Sequence, residues 1–386
     1  MSFVFLALSL TALVLGVTST MGRGMRGPWW GPAMAAAELA PWFLGGIGLV
    51  ASVFIAAEWT AGWAGMIGLL LMGLGASGFL LALFRSLRGR AAIVAGVEQV
   101  LGENVVVPRI RLRTLLRPFP PLASGLRLET HSYGPHERHL VDRVTSVGFT
   151  GPAPVLIHLH GGGWWRGEKG QQARPLLRHM ARSGWVVLAA TYRLSPEATF
   201  PDHLHDVERL IAWARGNADE LGIDPGFVAV TGGSAGGHLA ALAGLGNGAA
   251  RVQLAVPFYG VHDMLASDGV SAKWPYLVTQ IMKSDPVTHR EAWLTASPIH
   301  RATADRPPFL VVHGGDDSLV NAEESRLLAQ RLRGAGGPPA GYIEVPWAHH
   351  GFDFFSSIRA QRLAVAVGAV LNRLYERQKQ RLVEEP

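Results

Sequence analysis

The sequence predicts an α/β domain with a mostly parallel, doubly wound sheet behind an apolar N-terminal segment. Three observations carry that prediction. Six short runs rich in aliphatic residues, at 154–159 (PVLIHL), 185–190, 227–231, 252–258, 309–312 and 342–345, are apolar without strict alternation. Such runs suit strands covered on both faces. Between them, residues 202–221, 235–245, 322–333 and 358–377 repeat apolar side chains three and four apart, which is helical spacing, and strand–helix alternation of this kind builds doubly wound sheets. Finally, the first 84 residues hold only Arg23, Arg26, Glu38 and Glu58 as charged groups.

Composition excludes several classes. The 386 residues allow two domains or one large one. A chain that is 48% hydrophobic and 17% charged is no disordered tail. With no cysteine, it has no disulfide, zinc–thiolate centre, iron–sulfur cluster or thiol nucleophile. The formal charge of +6 is not gathered into a basic block interleaved with aromatics, so no nucleic-acid partner is expected.

The N-terminal segment contains apolar runs at 3–17, 41–57 and 62–84. The third is long enough to cross a bilayer, for which about 20 residues are needed. The second reaches that length only with its Ala-rich lead-in at 33–40, and the first reads either as a membrane segment or as an uncleaved signal. Five of the twelve tryptophans, Trp29, Trp30, Trp42, Trp59 and Trp63, flank these runs, as interfacial indoles do. Arg23 and Arg26 follow the first run, and Arg85, Arg88 and Arg90 the third. The positive-inside rule then puts the N-terminus outside, runs two and three in a hairpin, and all that follows in the cytoplasm. Residues 1–90 are thus expected to form a membrane anchor of about three transmembrane helices, as in a multi-pass protein of a bacterial inner membrane. Residues 91–124 are expected to be a basic, proline-containing linker. Within it Arg109, Arg111 and Arg113 alternate with Ile110 and Leu112, either as a solvated face or as a strip on anionic lipid. Residues 125–386 are expected to form the α/β domain, with 261–303 as a cap insertion.

Two glycine-rich motifs sit at strand ends. Gly232-Gly233-Ser234-Ala235-Gly236-Gly237 joins the 227–231 strand to a helix. Turning from strand to helix at one residue strains the nucleophile, and side chains two before and two after would collide. His160-Gly161-Gly162-Gly163 follows the 154–159 strand and exposes amides with no Cβ in the way. An oxyanion hole needs donors from two segments, here Gly162 and Gly163 with Ala235. Downstream, Asp316 and Asp317 follow one strand and His349 and His350 the next, in the order Ser, Asp, His of this kind of site.

With these motifs the chain resembles the hormone-sensitive-lipase-like branch of the α/β-hydrolases, the bacterial carboxylesterases with a His-Gly-Gly-Gly loop. Tyr192–Glu197, His313–Leu319 and His350-Gly351-Phe352 add to the match, which spans residues 125–375. The resemblance implies the α/β-hydrolase fold and a catalytic triad of Ser234, Asp317 and His350. Its Asp-x-Leu pattern selects Asp317 over Asp316, and its His-Gly-Phe pattern selects His350 over His349. It implies acyl-ester hydrolysis through an acyl-enzyme, with neither metal nor cofactor. Gly233 departs from the family, in which Asp or His commonly precedes the nucleophile. A membrane location suggests a lipophilic ester. An amidase or deacetylase with the same triad, or a silent membrane-bound binding module, are the alternatives. His158 and His238 read as core residues, and Tyr192 and Arg193 as braces beneath the site. Trp164, Trp165, Trp274, Tyr276 and Trp293 read equally as an acyl pocket or as packing.

Overall fold

The computed structural model describes residues 1–22, 29–103, 117–265 and 275–384. Helices come first: α1 (Ser2–Thr18), α2 (Trp30–Glu38), α3 (Ala40–Ala56), α4 (Gly62–Leu87) and α5 (Arg90–Leu101). Then follow β1 (Leu126–Ser132), β2 (Leu140–Ser146), β3 (Ala153–Leu159), α6 (Arg174–Arg182), β4 (Val186–Ala190), α7 (Asp202–Gly216), α8 (Ala218–Leu221), β5 (Ile223–Gly233), α9 (Ala235–Gly244) and β6 (Leu254–Phe258). The chain closes with α10 (Arg290–Thr295), β7 (Phe309–Gly314), α11 (Ala322–Gly334), β8 (Ala340–Val345) and α12 (Ile358–Glu384).

One eight-stranded sheet runs in the order β1-β2-β4-β3-β5-β6-β7-β8. Pairing is antiparallel from β1 through β2 to β4 and parallel from β4 onward. All six apolar runs are strands of its parallel part. The antiparallel β1 and β2 escape a search for apolar runs because they are mixed polar: β1 reads LRLETHS and is half solvated. Along β3, Val155 and Ile157 pack under α7 and α9, while Leu156 packs with α5, α6 and α12. Two-sided burial is thus the reason the strands read as continuous apolar runs.

Residues 91–101, expected to open a linker, are instead core. Ile93, Val97, Val100 and Leu101 of α5 are buried with Ile343 and Val345 of β8, and Gln99 accepts a hydrogen bond from the Tyr342 amide (2.9 Å). α5 covers the sheet's last strand, which accounts for its apolar face. The rest of the expected linker up to residue 116, with its three alternating arginines, lies outside the described residues, as do Arg23 and Arg26. Between β6 and β7, short helical turns at Leu277–Ile281 and Pro298–His300 accompany α10; Trp274 lies outside the described residues.

The N-terminal helices form a bundle. Phe3 meets Trp63, Phe5 and Ser9 lie against Gly68, Gly16 against Gly75 and Gly78, and Arg85 reaches the Thr20 carbonyl (2.8 Å). α1 and α4 therefore run parallel. Phe43 stacks on Phe79 and Phe54 clusters with Phe5 and Met72, so α3 runs antiparallel to both, and runs two and three do form a hairpin. The close seam depends on small residues: a Cβ on Gly75 would sit 2.6 Å from the Ala12 backbone. The outer face of the bundle is apolar, with Phe3, Leu49, Met66 and Leu70 each at least 63% exposed. By length and composition, the continuous helical stretch Gly62–Leu101 is able to cross a membrane, and α2 with α3 would be if they made one span.

They do not run straight, and here the expectation needs correction. The lead-in at 33–40 does not lengthen the second run. α2 and α3 meet at 77°, with Leu39 outside helical geometry and Pro41 in the first turn of α3. The lead-in lies instead against the α/β domain, where Glu38 pairs with Arg359 of α12 (2.6 Å), both buried. A carboxylate carried into lipid would lose that partner.

His158 of β3 is buried, neither ring nitrogen has a hydrogen-bond partner among the described residues, and burial pushes its pKa down to about 3. Below the ordinary value of 6.5 the unfolded chain takes up a proton that the folded core refuses, so stability falls as pH drops from 6.5 toward 3. His158→Leu is expected to hold or raise the melting temperature at pH 7. It is also expected to flatten the loss between pH 6.5 and 4, as read by thermal unfolding across that range.

Candidate active site

Ser234 stands between β5 and α9 with φ 56° and ψ −119°, the strained backbone of a strand–helix elbow. The flanking glycines show why the motif has its spacing. A Cβ on Gly232 would lie 2.5 Å from the Gly236 carbonyl oxygen, and one on Gly236 would run into the Leu159 carbonyl. The Ser234 amide donates to the Phe258 carbonyl (3.0 Å), fixing the elbow to the end of β6.

His350 and Asp317 come together from the loops after β8 and β7. His350 Nδ1 lies 2.7 Å from Asp317 Oδ2. A carboxylate only accepts, so Nδ1 carries the proton and Nε2 is left for chemistry. Asp317 Oδ1 accepts from the amides of Leu319 and Val320 (2.9 Å each), and His313 Nε2 lies 3.2 Å from Oδ2. Burial works to raise the Asp317 pKa, but the charge of His350 and hydrogen bonds from His313 and His350 outweigh it, holding the carboxyl well below its usual range. Asp316 makes no such bond and lies beside Gly22. His349 is buried, and burial lowers its pKa with Asp317 only a minor opposing charge.

Tyr259, just after β6, links the two halves. A Cβ on Gly233 would fall 2.6 Å from the Tyr259 hydroxyl, and the Tyr259 ring packs on His350 at 4.8 Å between centroids. The departure at Gly233 therefore has a steric reason, since any side chain there would displace Tyr259. The Tyr259 hydroxyl donates to Asp353, whose carboxyl burial pushes up to about 6. No sequence signal singles out Tyr259 or Asp353, because their roles arise only from strand neighbours. On the solvent side Trp30 of α2 meets the His350 ring edge-on at 5.8 Å.

Gly162 and Gly163 adopt φ of 123° and 62°, open to glycine and strained for other residues. Among the described residues, neither amide donates a backbone hydrogen bond. The loop is held from behind: Gly161 donates to Gln172 Oε1 (2.7 Å), and Tyr192 donates to the His160 carbonyl (2.8 Å). Gly161 also brings the loop against Ser234, its Cβ position being 3.1 Å from that of Ser234. Ala235 opens α9, where the helix offers its first amides no acceptor and its dipole favours negative charge.

A second serine–histidine contact is structural. Ser195 Oγ donates to the Ala198 carbonyl (2.8 Å) and lies 3.2 Å from His203 Nε2. Both are buried, and among the described residues His203 Nδ1 has no hydrogen-bond partner to orient it. The core readings of His158 and His238 hold, the latter bonding the Ala296 carbonyl at 2.7 Å. Tyr192 and Arg193 are braces, with Arg193 paired to Asp206 (2.7 Å). Trp164 and Trp293 are core at 1% exposure, so neither lines a pocket, whereas Trp165 and Tyr276 border Gly163. Among the described residues, no cluster of histidine and carboxylate side chains is arranged to hold a metal.

A family model described as BD-FAE matches residues 144–332, which include Ser234 and Asp317. The chain is 41% identical over 263 residues to the probable carboxylic ester hydrolase LipM of Mycobacterium tuberculosis, covering 64% of this chain and 61% of that one. It is 39% identical over 237 residues to the esterase LipQ of the same organism, covering 58% and 56%. The chain thus spans about three fifths of the length of these relatives. Among solved structures it is similar to a truncated carbohydrate esterase from gut microbiota, with 26% identity and a TM-score of 0.58 over 67% of this chain and 99% of that one. An esterase of Pyrobaculum calidifontis gives 27% and 0.54 over 64% and 85%. The mostly parallel sheet and these neighbours fit the α/β-hydrolase fold.

If Asp317 orients His350, Asp317→Asn presents the wrong tautomer and is expected to slow modification of Ser234 by a fluorophosphonate about 10⁴-fold. Asp316→Asn is expected to leave that rate unchanged, and the comparison is read by timed labelling.

Proposed function

We propose that this chain is a membrane-anchored serine carboxylesterase. The observation that carries the reading is the strained Ser234 elbow joined through Tyr259 to a histidine that is bonded to a buried, ionised aspartate. His350 Nε2 takes the Ser234 proton as the hydroxyl oxygen attacks the ester carbonyl, and Asp317 stabilises the imidazolium that forms. The amides of Gly162, Gly163 and Ala235 meet the developing oxyanion, and loss of one such donor costs about 3 kcal/mol in comparable sites. His350 then returns the proton to the leaving alcohol. Water repeats the cycle on the acyl-enzyme and releases the acid. Relatives named as carboxylic ester hydrolases support ester over amide.

The anchor reading rests on three helices with an apolar outer face and on small-residue contacts between α1 and α4, the packing that membrane helices use in place of a hydrophobic drive. Tryptophans flank the helices, and Arg85 and Arg88 follow the long apolar run of α4. The N-terminus and the α3–α4 turn share one end of the bundle, and the hydrolase-like domain sits at the other, which is the cytoplasmic side by the positive-inside rule. A lipophilic ester that partitions into the bilayer is the substrate class that fits.

Ser234→Ala is expected to abolish fluorophosphonate labelling and nitrophenyl-ester hydrolysis together, and turnover at the wild-type rate by this variant would refute the nucleophile. The protein is expected to stay with membranes through alkaline extraction. A reporter fused after Arg90 is expected to be active only on the cytoplasmic side.

A further inference from the structure

We infer that α2, the helix between the first two apolar runs, supplies the wall of the alcohol-side subsite, with Trp30 as its specificity-determining residue. This rests on the esterase reading above and adds to it which half of the ester the N-terminal module touches.

Trp30 is half-buried and edge-on to His350. Its ring and the Met34 methyl group each lie 3.9 Å from the Cβ position of Gly351, so one face of α2 rests on the histidine loop. Behind it the Glu38–Arg359 pair fixes the end of the helix to α12. His350 is only 6% exposed, closed by Tyr259 on the core side and Trp30 on the other.

The chemistry decides which part of a substrate meets that face. The oxygen that His350 protonates belongs to the leaving alcohol, and it must come within about 3 Å of Nε2. The carbonyl oxygen points away, toward the Gly162 and Gly163 amides, where Trp165 and Tyr276 border the loop. The group closest to the Trp30 ring is therefore the alcohol's carbon chain, held by apolar contact.

The test uses the full-length protein in detergent. At fixed butyryl group, alcohols from methyl to hexyl are compared; at fixed p-nitrophenol, acyl groups from acetyl to octanoyl. Trp30→Ala is expected to lower kcat/KM for hexyl relative to methyl butyrate about tenfold, the scale of a lost apolar pocket contact. The acyl-length profile at fixed p-nitrophenol is expected to keep its shape. An unchanged hexyl-to-methyl ratio, or a changed acyl profile, overturns the inference. Should Trp30→Ala not accumulate folded, Trp30→Phe is expected to shift the same ratio less, and no shift there overturns it equally. Wild-type protein inert to fluorophosphonate would instead sink the esterase reading, whereas labelled, ester-hydrolysing protein with an unmoved ratio sinks only this one.

Discussion

The elbow at Ser234 is the constraint from which the rest of the site follows. Holding a non-glycine residue at φ 56° costs free energy, and it persists because neighbours leave no alternative. β5 lies between β3 and β6, α9 begins at once, and Gly232 and Gly236 bring strand and helix backbones too close for any Cβ. Once the turn is fixed there, the hydroxyl stands at the C-terminal edge of a parallel sheet, where the loops after β3, β6, β7 and β8 also end. Those loops carry the glycine amides, Tyr259, Asp317 and His350. Convergence of residues distant in sequence is thus a property of parallel strands, whose C-terminal ends share one rim.

Two opposite treatments of buried charge meet at that rim. Asp317 is stripped of water, yet two amides and two imidazoles surround it, so its charged form is the favoured one. Asp353, a few ångströms of side chain away through Tyr259, has fewer donors, and burial prevails. The same residue type is kept ionised in one place and moved toward neutrality in the other by the imidazole charge and the hydrogen-bond donors that face it. In the proposed mechanism, the carboxylate that balances the developing imidazolium is the one in the first setting.

The sheet was legible wherever a strand is buried on both faces, because two-sided burial leaves an apolar run such as VLIHL or FLVV. It was not legible in β1 and β2, whose solvated faces carry Arg127, Glu129 and Arg143. α5 was misread as linker for a related reason: its apolar face pairs with β8, some 240 residues downstream, and nothing local announces that partner. The motif residues of the site stood out because glycine spacing and strand ends mark them. Tyr259, Asp353 and Trp30 carry no such mark, since each matters only through what lies beside it in space. Even Gly233, visible as a departure, had no reason until Tyr259 was seen to occupy the room.

The bend between α2 and α3 joins the two halves of the molecule in one physical argument. An unbroken helix from Trp30 to Ala56 would reach across a bilayer with length to spare, at about 1.5 Å per residue, but would carry Glu38 into lipid. Breaking it at Leu39 returns the carboxylate to Arg359 and leaves α3 with 17 residues, roughly 25 Å at that rise and short of a hydrocarbon core of about 30 Å. A short span is tolerated by local thinning or tilt of its neighbours at modest cost. A buried, unpaired carboxylate is not. The same break lays Trp30 and Met34 on the histidine loop. On the proposed anchoring, the ion pair that ends α2 would set both how deep the helices sit and how close the rim of the sheet is held to the membrane surface.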